Sequence, residues 1–133
     1  MKDLKYSVDV ESSIRPVAIS GSSAVNGVAV DKLGFDDALA VVSLGAESGS
    51  PDSFSFAAKV QESANGSTGW ADVANATATL TEENTVAKFK VPDMLNRLRY
   101  LRVVITPTFV NGSSPAVVST GALLLGAKNV EPV

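Results

Sequence analysis

The most regular pattern in the chain is an alternation of apolar and polar residues, which predicts β-strands because successive side chains of a strand point to opposite faces. Residues 54–61, FSFAAKVQ, show this alternation most clearly. The segment that organises the chain is residues 99–106, RYLRVVIT, where β-branched and aromatic residues dominate and Pro107 is predicted to end the strand. We therefore interpret residues 99–106 as a central strand.

The two faces of this strand differ in chemistry. Leu101, Val103 and Ile105 form a purely apolar face, which must be covered by a second layer of structure. The opposite face carries Tyr100 and Arg102, and a guanidinium held against a sheet needs a partner. The pattern therefore predicts a fold of at least two layers.

Other segments also have the length and composition of strands. Residues 6–11 alternate, and Pro16 favours an edge position for the chain that follows. Residues 38–44 form an almost continuous apolar run, which is typical of a strand buried on both sides. Residues 116–125 are predicted as the last long strand, and residues 92–96 are predicted as one helical turn.

Two turn signals separate these segments. Asn26-Gly27 is a strong hairpin signal, although a bulged loop suits the short flanking segments equally well. Residues 111–115, NGSSP, are predicted as a second hairpin turn. About eight or nine strands result, with turn signals roughly every 8–15 residues and no helix longer than a turn.

These elements predict an all-β fold, a single antiparallel β-sandwich of the jelly-roll or Greek-key type with extended termini. One domain covers residues 1–133, a length that supports a hydrophobic core of its own. Residues 1–20 are expected to form an N-terminal arm or an edge strand. Residues 127–133 are expected to form an extended C-terminal tail.

Composition excludes several kinds of chemistry. The chain has neither cysteine nor histidine, which excludes disulfides, thiolate nucleophiles, the Ser-His-Asp triad and histidine metal ligands. No phosphate-binding motif is present. We therefore predict a protein that is not an enzyme and that uses no cofactor and no metal. The charged start of the chain and the short apolar runs predict no signal peptide and no membrane-spanning segment.

The distribution of charge is more informative than its total. The formal net charge of −3 argues against nucleic acid as a partner. Residues 88–102 carry a net charge of +4, so the remainder of the chain carries −7. These basic residues are expected on one hairpin-sized piece. They form either a docking surface for an acidic partner or a solvated sheet face whose charges pair with neighbouring acids, and the second interpretation is favoured.

Two further groups of residues suggest candidate sites. Asp31, Asp36 and Asp37 could hold calcium, but their spacing matches no known calcium loop, and capping of an exposed turn is favoured. A sugar-binding platform would need exposed aromatic rings, for which Tyr6, Trp70 and Tyr100 are the candidates. Tyr100 beside Arg102 is equally suited to a contact with another subunit, because aromatic and arginine side chains are enriched at interface centres.

Several short motifs resemble those of small structural proteins of tailed bacteriophages and prophages, over about residues 31–133. They are Asp31-x-x-Gly34-Phe35-Asp36 before an apolar strand, a glycine-rich loop before Trp70, Arg99-Tyr100-Leu101-Arg102-Val103, and Ala122-Leu123-Leu124-Leu125-Gly126. Some proteins of this class are capsid decoration (cement) proteins with a jelly-roll or related β-sandwich.

The resemblance implies a virion structural protein that is made in the bacterial cytoplasm and stabilises the capsid. Its expected partners are the major capsid protein, on the outer surface of the shell, and further copies of itself in a dimer or trimer at a symmetry axis. Nucleic acid and membrane are not expected partners. The alternatives are a tail or head–tail connector component and a carbohydrate-binding β-sandwich module. The side chains expected at the interface are Arg97, Arg99, Tyr100, Arg102, Lys2 and Tyr6.

Overall fold

The computed structural model describes residues 8–128, which form nine strands and one turn of 3₁₀ helix. In chain order the elements are β1 (Asp9–Ser20), β2 (Val25–Asn26), β3 (Val30–Asp31), β4 (Phe35–Ser48), β5 (Ser53–Ser63), β6 (Ala71–Leu80), β7 (Val86–Lys90), the 3₁₀ turn (Met94–Asn96), β8 (Tyr100–Val110) and β9 (Ala116–Lys128). None of the described residues belongs to a helix that is long and apolar enough to cross a membrane.

The strands form two antiparallel sheets. Sheet 1 has the order β1-β9-β4-β7, and sheet 2 has the order β2-β8-β5-β6, with β3 also paired to β8. The all-β sandwich predicted from the alternation is therefore confirmed. Pro16 lies in β1, at an edge of sheet 1, and the pairing of β1 with β9 is irregular between Ser12 and Val17.

The hydrophobic core lies between the two sheets. Leu101, Val103 and Ile105, the predicted apolar face of the central strand, are fully buried on β8. The largest side chain in the core is Phe56, whose ring contacts Phe54 and Phe109 edge-to-face with centroids 5.5 Å away in both cases. Alternation along the chain thus identified the inner face of sheet 2 correctly.

The strand that contains this face is longer than predicted. β8 continues past Pro107 to Val110, and Pro107 is paired with Phe56 of β5. On its other side β8 is covered by β2 only as far as Ile105. Pro107 has no backbone N–H, but β2 does not extend beyond Ile105, so no hydrogen bond to β2 is lost at Pro107. Proline is therefore tolerated at this position.

The two predicted hairpin turns are not hairpins. β2, which contains Asn26, and β3 both pair with β8 rather than with each other. Together they form one edge strand that is irregular because it carries an extra residue, as the bulged alternative for Asn26-Gly27 implies. Residues 111–115 connect β8 in sheet 2 to β9 in sheet 1. The turn residues predict a reversal of the chain, but the identity of the pairing partner depends on long-range packing.

The apolar run at 38–44 is covered on one side only. Ala38, Ala40, Val42 and Leu44 are buried against sheet 2, but the alternate residues, from Leu39 to Ser43, are half-buried. The prediction of a strand buried on both sides is therefore wrong for the isolated chain. Within residues 8–128, no strand supplies the cover that the sequence predicts for the outer face of sheet 1.

Candidate functional site

The basic stretch 88–102 is divided between the two sheets. Lys88 and Lys90 lie on β7 of sheet 1, whereas Arg99 precedes β8 and Arg102 lies within it in sheet 2. The prediction that these residues occupy one hairpin-sized piece is wrong, because the segment that contains Arg97 crosses from one sheet to the other. We call Arg97, Arg99, Tyr100 and Arg102 the arginine surface. The other two predicted interface residues, Lys2 and Tyr6, lie outside the described residues.

Arg102 is held by two partners on the outer face of sheet 2. Its guanidinium carbon lies 4.3 Å from the centre of the Trp70 ring, within the range of a cation–π contact. Its Nε and Nη2 atoms donate hydrogen bonds of 2.9 and 2.7 Å to Oε1 of Gln61. Burial lowers the pKa of Arg102 from its usual value because neither partner carries a negative charge.

The hydrogen bonds continue from Gln61 to the next strand. Nε2 of Gln61 donates a 2.8 Å hydrogen bond to Asp72, whose carboxylate also pairs with Lys59 at 3.0 Å. The hydrogen bonds from Gln61 and then from Lys59 lower the pKa of Asp72. Three strands are therefore linked across this face by side chains. The sequence predicted that Arg102 needs a partner, but the cross-strand register that supplies Gln61 is not visible in the sequence.

Tyr100 is positioned by the loop that connects β5 to β6. Asn65 closes this loop, since its Oδ1 accepts hydrogen bonds of 2.9 Å from the N–H groups of Ser67 and Thr68. Gly66 has a φ of 76° and packs so closely on the Tyr100 ring that a Cβ there would lie 3.1 Å from a ring carbon. The loop therefore covers part of the ring that a sugar platform would need exposed.

Arg99 is neutralised within the chain. Its Nε and Nη2 atoms donate hydrogen bonds of 3.1 and 2.8 Å to the carboxylate of Asp31. This bidentate geometry favours a well-ordered pair. The guanidinium carbon also lies 5.3 Å from the centre of the Tyr100 ring. Hydrogen bonds from Arg99 and from the N–H of Leu33 lower the pKa of Asp31. Asp31 thus serves as a partner for arginine, and no group of three or more acidic residues in the range 8–128 is arranged to hold a metal.

Arg97 is paired as well. It lies 3.5 Å from Glu62, and both side chains are largely shielded from water. The other carboxylate oxygen of Glu62 accepts a 2.8 Å hydrogen bond from the N–H of Leu98. The favoured interpretation, in which neighbouring acids neutralise the basic residues, therefore describes Arg97 and Arg99, and sequence reasoning missed Glu62 as one of the partners.

Exposed leucines lie beside these pairs. Leu33, Leu95 and Leu98 are 68%, 79% and 42% exposed, on the β3–β4 turn and on the segment between β7 and β8. The N–H of Leu33 donates a hydrogen bond to Asp31, and the N–H of Leu98 donates one to Glu62. These two leucines therefore lie next to the Asp31–Arg99 and Arg97–Glu62 pairs. The arginine surface thus combines two neutralised arginines, Arg97 and Arg99, with exposed apolar groups, and Arg102 is held by neutral partners.

The Asp31–Arg99 pair predicts a pH dependence of stability. The pKa of Asp31 is lower in the folded chain than in the unfolded chain, so the pair contributes fully at neutral pH and its contribution is lost as the pH falls through the folded pKa. We expect Asp31→Asn to cause a small loss of stability at pH 7, because both side chains are solvent-accessible. Urea unfolding at pH 7 and in strong acid measures this, and the difference from the wild type should disappear in acid. A difference that persists in acid would contradict this assignment.

Comparison with known proteins identifies the fold. No protein-family model matches the chain, and no curated protein matches it in sequence. Among solved structures, the PBSX exported protein XepA is similar over 100% of this chain and 41% of its own, with a TM-score of 0.58 and 13% identity.

Two viral structures are also similar. The infectious bursal disease virus Gx strain structure has a TM-score of 0.55 and 12% identity, over 94% of this chain and 34% of its own. The T13 particle of the same virus has a TM-score of 0.51 and 10% identity, over 91% and 31%. The chain spans about a third to two fifths of these proteins. The chain thus has a β-sandwich fold similar to parts of these proteins, and the resemblance is confirmed at the level of the fold.

Proposed function

We propose that this chain is a non-enzymatic structural protein of a bacteriophage virion and acts as a capsid decoration protein. In this role it binds the outer surface of the major capsid shell and stabilises it. It acts as a small homo-oligomer, a dimer or a trimer, at a symmetry axis of the capsid, where several weak contacts made by one oligomer reinforce one another.

The observation that carries this proposal is the pair of exposed leucines, Leu33 and Leu98, beside the two ion pairs of the arginine surface. Isolated apolar residues are normal on a protein surface, but apolar groups that lie together mark a site of interaction. Apolar groups next to polar side chains that already have partners are the usual composition of a protein–protein interface. Leu33, which is 68% exposed, gains most from a partner.

The fold supports the same class of function. A β-sandwich shared with viral particles and with a prophage protein is suited to packing side by side in a shell. A fold alone is compatible with many functions, so the proposal depends on the surface rather than on the likeness.

Within this proposal, the arginine surface contacts sister copies, together with Lys2 and Tyr6. The charges of Arg97 and Arg99 are neutralised inside each subunit, and Arg102 lies against Trp70 and Gln61, so a sister copy meets one uncompensated cation there. Tyr100 and Arg102 belong to the residue types enriched at the centres of interfaces.

Co-sedimentation with undecorated capsid shells tests the function directly. We expect the wild-type protein to bind at a fixed, saturable ratio to the shell protein and to make the shells more resistant to heat. A folded protein that shows no association with shells would refute the decoration role and favour a tail or connector location.

Arg99→Glu is expected to weaken the oligomer and to lower occupancy on the shell several-fold. The substitution places like charges next to Asp31 at the contact with the sister copy. Analytical ultracentrifugation measures the oligomer, and co-sedimentation measures the occupancy. Leu33→Ser should have the same effect, because the N–H of Leu33 donates to Asp31, the partner of Arg99, and the two side chains lie on one surface.

The matched control is Arg15→Glu, which reverses another exposed charge, on β1 of sheet 1. We expect it to leave the oligomer intact. Equal behaviour of the Arg15 and Arg99 variants would show that the arginine surface has no specific part in assembly.

A carbohydrate-binding role is the second candidate, since Trp70 lies beside the polar side chains Gln61 and Arg102. The guanidinium already occupies a face of the Trp70 ring on which a sugar would stack. Retention on a glycan column that is lost in Trp70→Ala would favour this function over decoration.

A further inference from the structure

The outer face of sheet 1 is an apolar surface with two cations at one edge. In the strand register, Leu39 lies between Leu124 and Lys90, and Val41 lies between Ala122 and Lys88. The same face continues to Val10 on β1 and Val86 on β7, which are 64% and 68% exposed. We call this surface the lysine face. It comprises Val10, Leu39, Val41, Val86, Lys88, Lys90, Ala122 and Leu124.

No described strand packs on the lysine face, although its sequence is typical of a buried strand, and Val8 lines a cleft there with Leu39, Lys90 and Leu124. Residues 38–44 and 122–125 are runs that are apolar at nearly every position, a composition found in strands with cover on both sides. The sandwich covers only the inner side of these strands. The outer residues therefore have the composition of an interface, and a partner would complete their burial.

Lys88 and Lys90 differ from Arg97, Arg99 and Lys59 in having no acid partner among the described residues. Arg97, Arg99 and Lys59 each pair with a carboxylate of this chain. Within residues 8–128, no carboxylate lies within ion-pair distance of Lys88 or Lys90. Their charges are available to a partner, whereas those of Arg97 and Arg99 are already neutralised.

Charge complementarity determines the kind of partner. Among the described strands, Asp37 is the one carboxylate in register with the lysine face, and it already accepts a hydrogen bond from the N–H of Ala38. Asp36 and Asp93 line a cleft with Asp37 and Lys90 at one end of the face, yet none of the three lies within ion-pair distance of Lys90. A partner that carries its own carboxylates opposite Lys88 and Lys90 therefore matches the face.

We propose that the lysine face is the surface that binds the capsid shell, and that the shell presents there an acidic surface with aliphatic side chains. This inference rests on the proposed function and deepens it, since it assigns the contact with sister copies and the contact with the shell to opposite sheets. The apolar residues of the lysine face supply the area that is buried on binding to the shell. The lysines orient the chain on the acidic surface and make the binding dependent on salt concentration.

The test compares two pairs of substitutions that remove the same charge. Lys88→Gln with Lys90→Gln is expected to weaken co-sedimentation with undecorated shells at least tenfold at low salt, and the remaining binding should be less sensitive to salt. The control pair is Arg15→Gln with Lys32→Gln, which lie outside the lysine face and should bind like the wild type. Circular dichroism and ultracentrifugation check that both pairs keep the fold and the oligomer.

A footprint of the wild type gives a second measurement that does not depend on any variant. Amine acetylation followed by mass spectrometry should show Lys88 and Lys90 protected when shells are bound, with the reactivity of Lys59 unchanged. Unchanged reactivity of Lys88 and Lys90 would overturn the inference.

The outcomes separate the two proposals. If the wild type does not bind shells, the proposed function and this inference both fail. If the wild type binds and the Lys88 and Lys90 pair binds equally well, only the inference fails. If this pair changes the oligomer or causes aggregation while shell binding persists, the lysines protect an edge strand or a contact between copies, and the inference is overturned.

Discussion

Replacing Phe56 with alanine is expected to lower the free energy of unfolding by about 3–5 kcal/mol. Phe56 is fully buried, and its ring is the shared contact of Phe54 and Phe109 at 5.5 Å on each side. The substitution removes the buried area and leaves a cavity that rigid strands on both sides do not close. For a domain whose total stability is of the order of 5–15 kcal/mol, the loss is large.

Equilibrium unfolding in guanidinium chloride measures this loss. Phe89→Ala is the matched control, because Phe89 lies on the short edge strand β7 and is only partly buried. We expect a clearly smaller loss for the control. Similar losses for both variants would show that the core is not centred on the aromatic cluster of sheet 2.

Gly27→Ala is expected to destabilise the fold by about 1–3 kcal/mol, the usual cost of inserting atoms into a packed site. A Cβ at this position would overlap the Ser13 hydroxyl oxygen and would lie 2.8 Å from the carbonyl oxygens of Ser13 and Val103. Backbone atoms do not move aside as the end of a flexible side chain does. Gly27 is thus required for close packing rather than for a turn.

Ser13 makes this position sensitive because it ties the two sheets together. Its hydroxyl donates a 2.9 Å hydrogen bond to the carbonyl of Val28 and accepts one of 2.9 Å from the N–H of Val103. Displacing the hydroxyl leaves buried backbone groups without partners, which adds to the loss.

The matched control is Gly126→Ala in β9, where a Cβ meets no atom within 4 Å. It should be neutral or slightly stabilising, because alanine restricts the unfolded chain more than glycine does. Thermal unfolding of the two variants measures the contrast. A Gly27→Ala protein as stable as the Gly126→Ala protein would contradict the assigned contact.

The two sheets present different surfaces because their outer residues have different partners within the chain. On sheet 2 the outer polar residues satisfy one another, as Arg102, Gln61 and Asp72 do. On sheet 1, Lys88 and Lys90 have no acid partner among the described residues. This difference is the physical basis for assigning sister contacts to one sheet and the shell to the other.

The sequence by itself determined the class of the fold and most of its strands. Alternation with a period of two is a local property, so it identified Leu101, Val103 and Ile105 as a buried face without knowledge of any partner. The absence of cysteine and histidine limited the chemistry equally directly. The need of Arg102 for a partner followed from the cost of burying a charge.

Only the tertiary structure decided which strands pair and which charges meet. Asn26-Gly27 and residues 111–115 mark reversals of the chain, but sheet membership depends on contacts between distant residues, so neither segment became a hairpin. The pairing of Arg99 with Asp31 likewise joins residues far apart in sequence. The uncovered outer side of residues 38–44 also emerged only from the fold, because an apolar run shows what a strand needs and not whether its own chain supplies it.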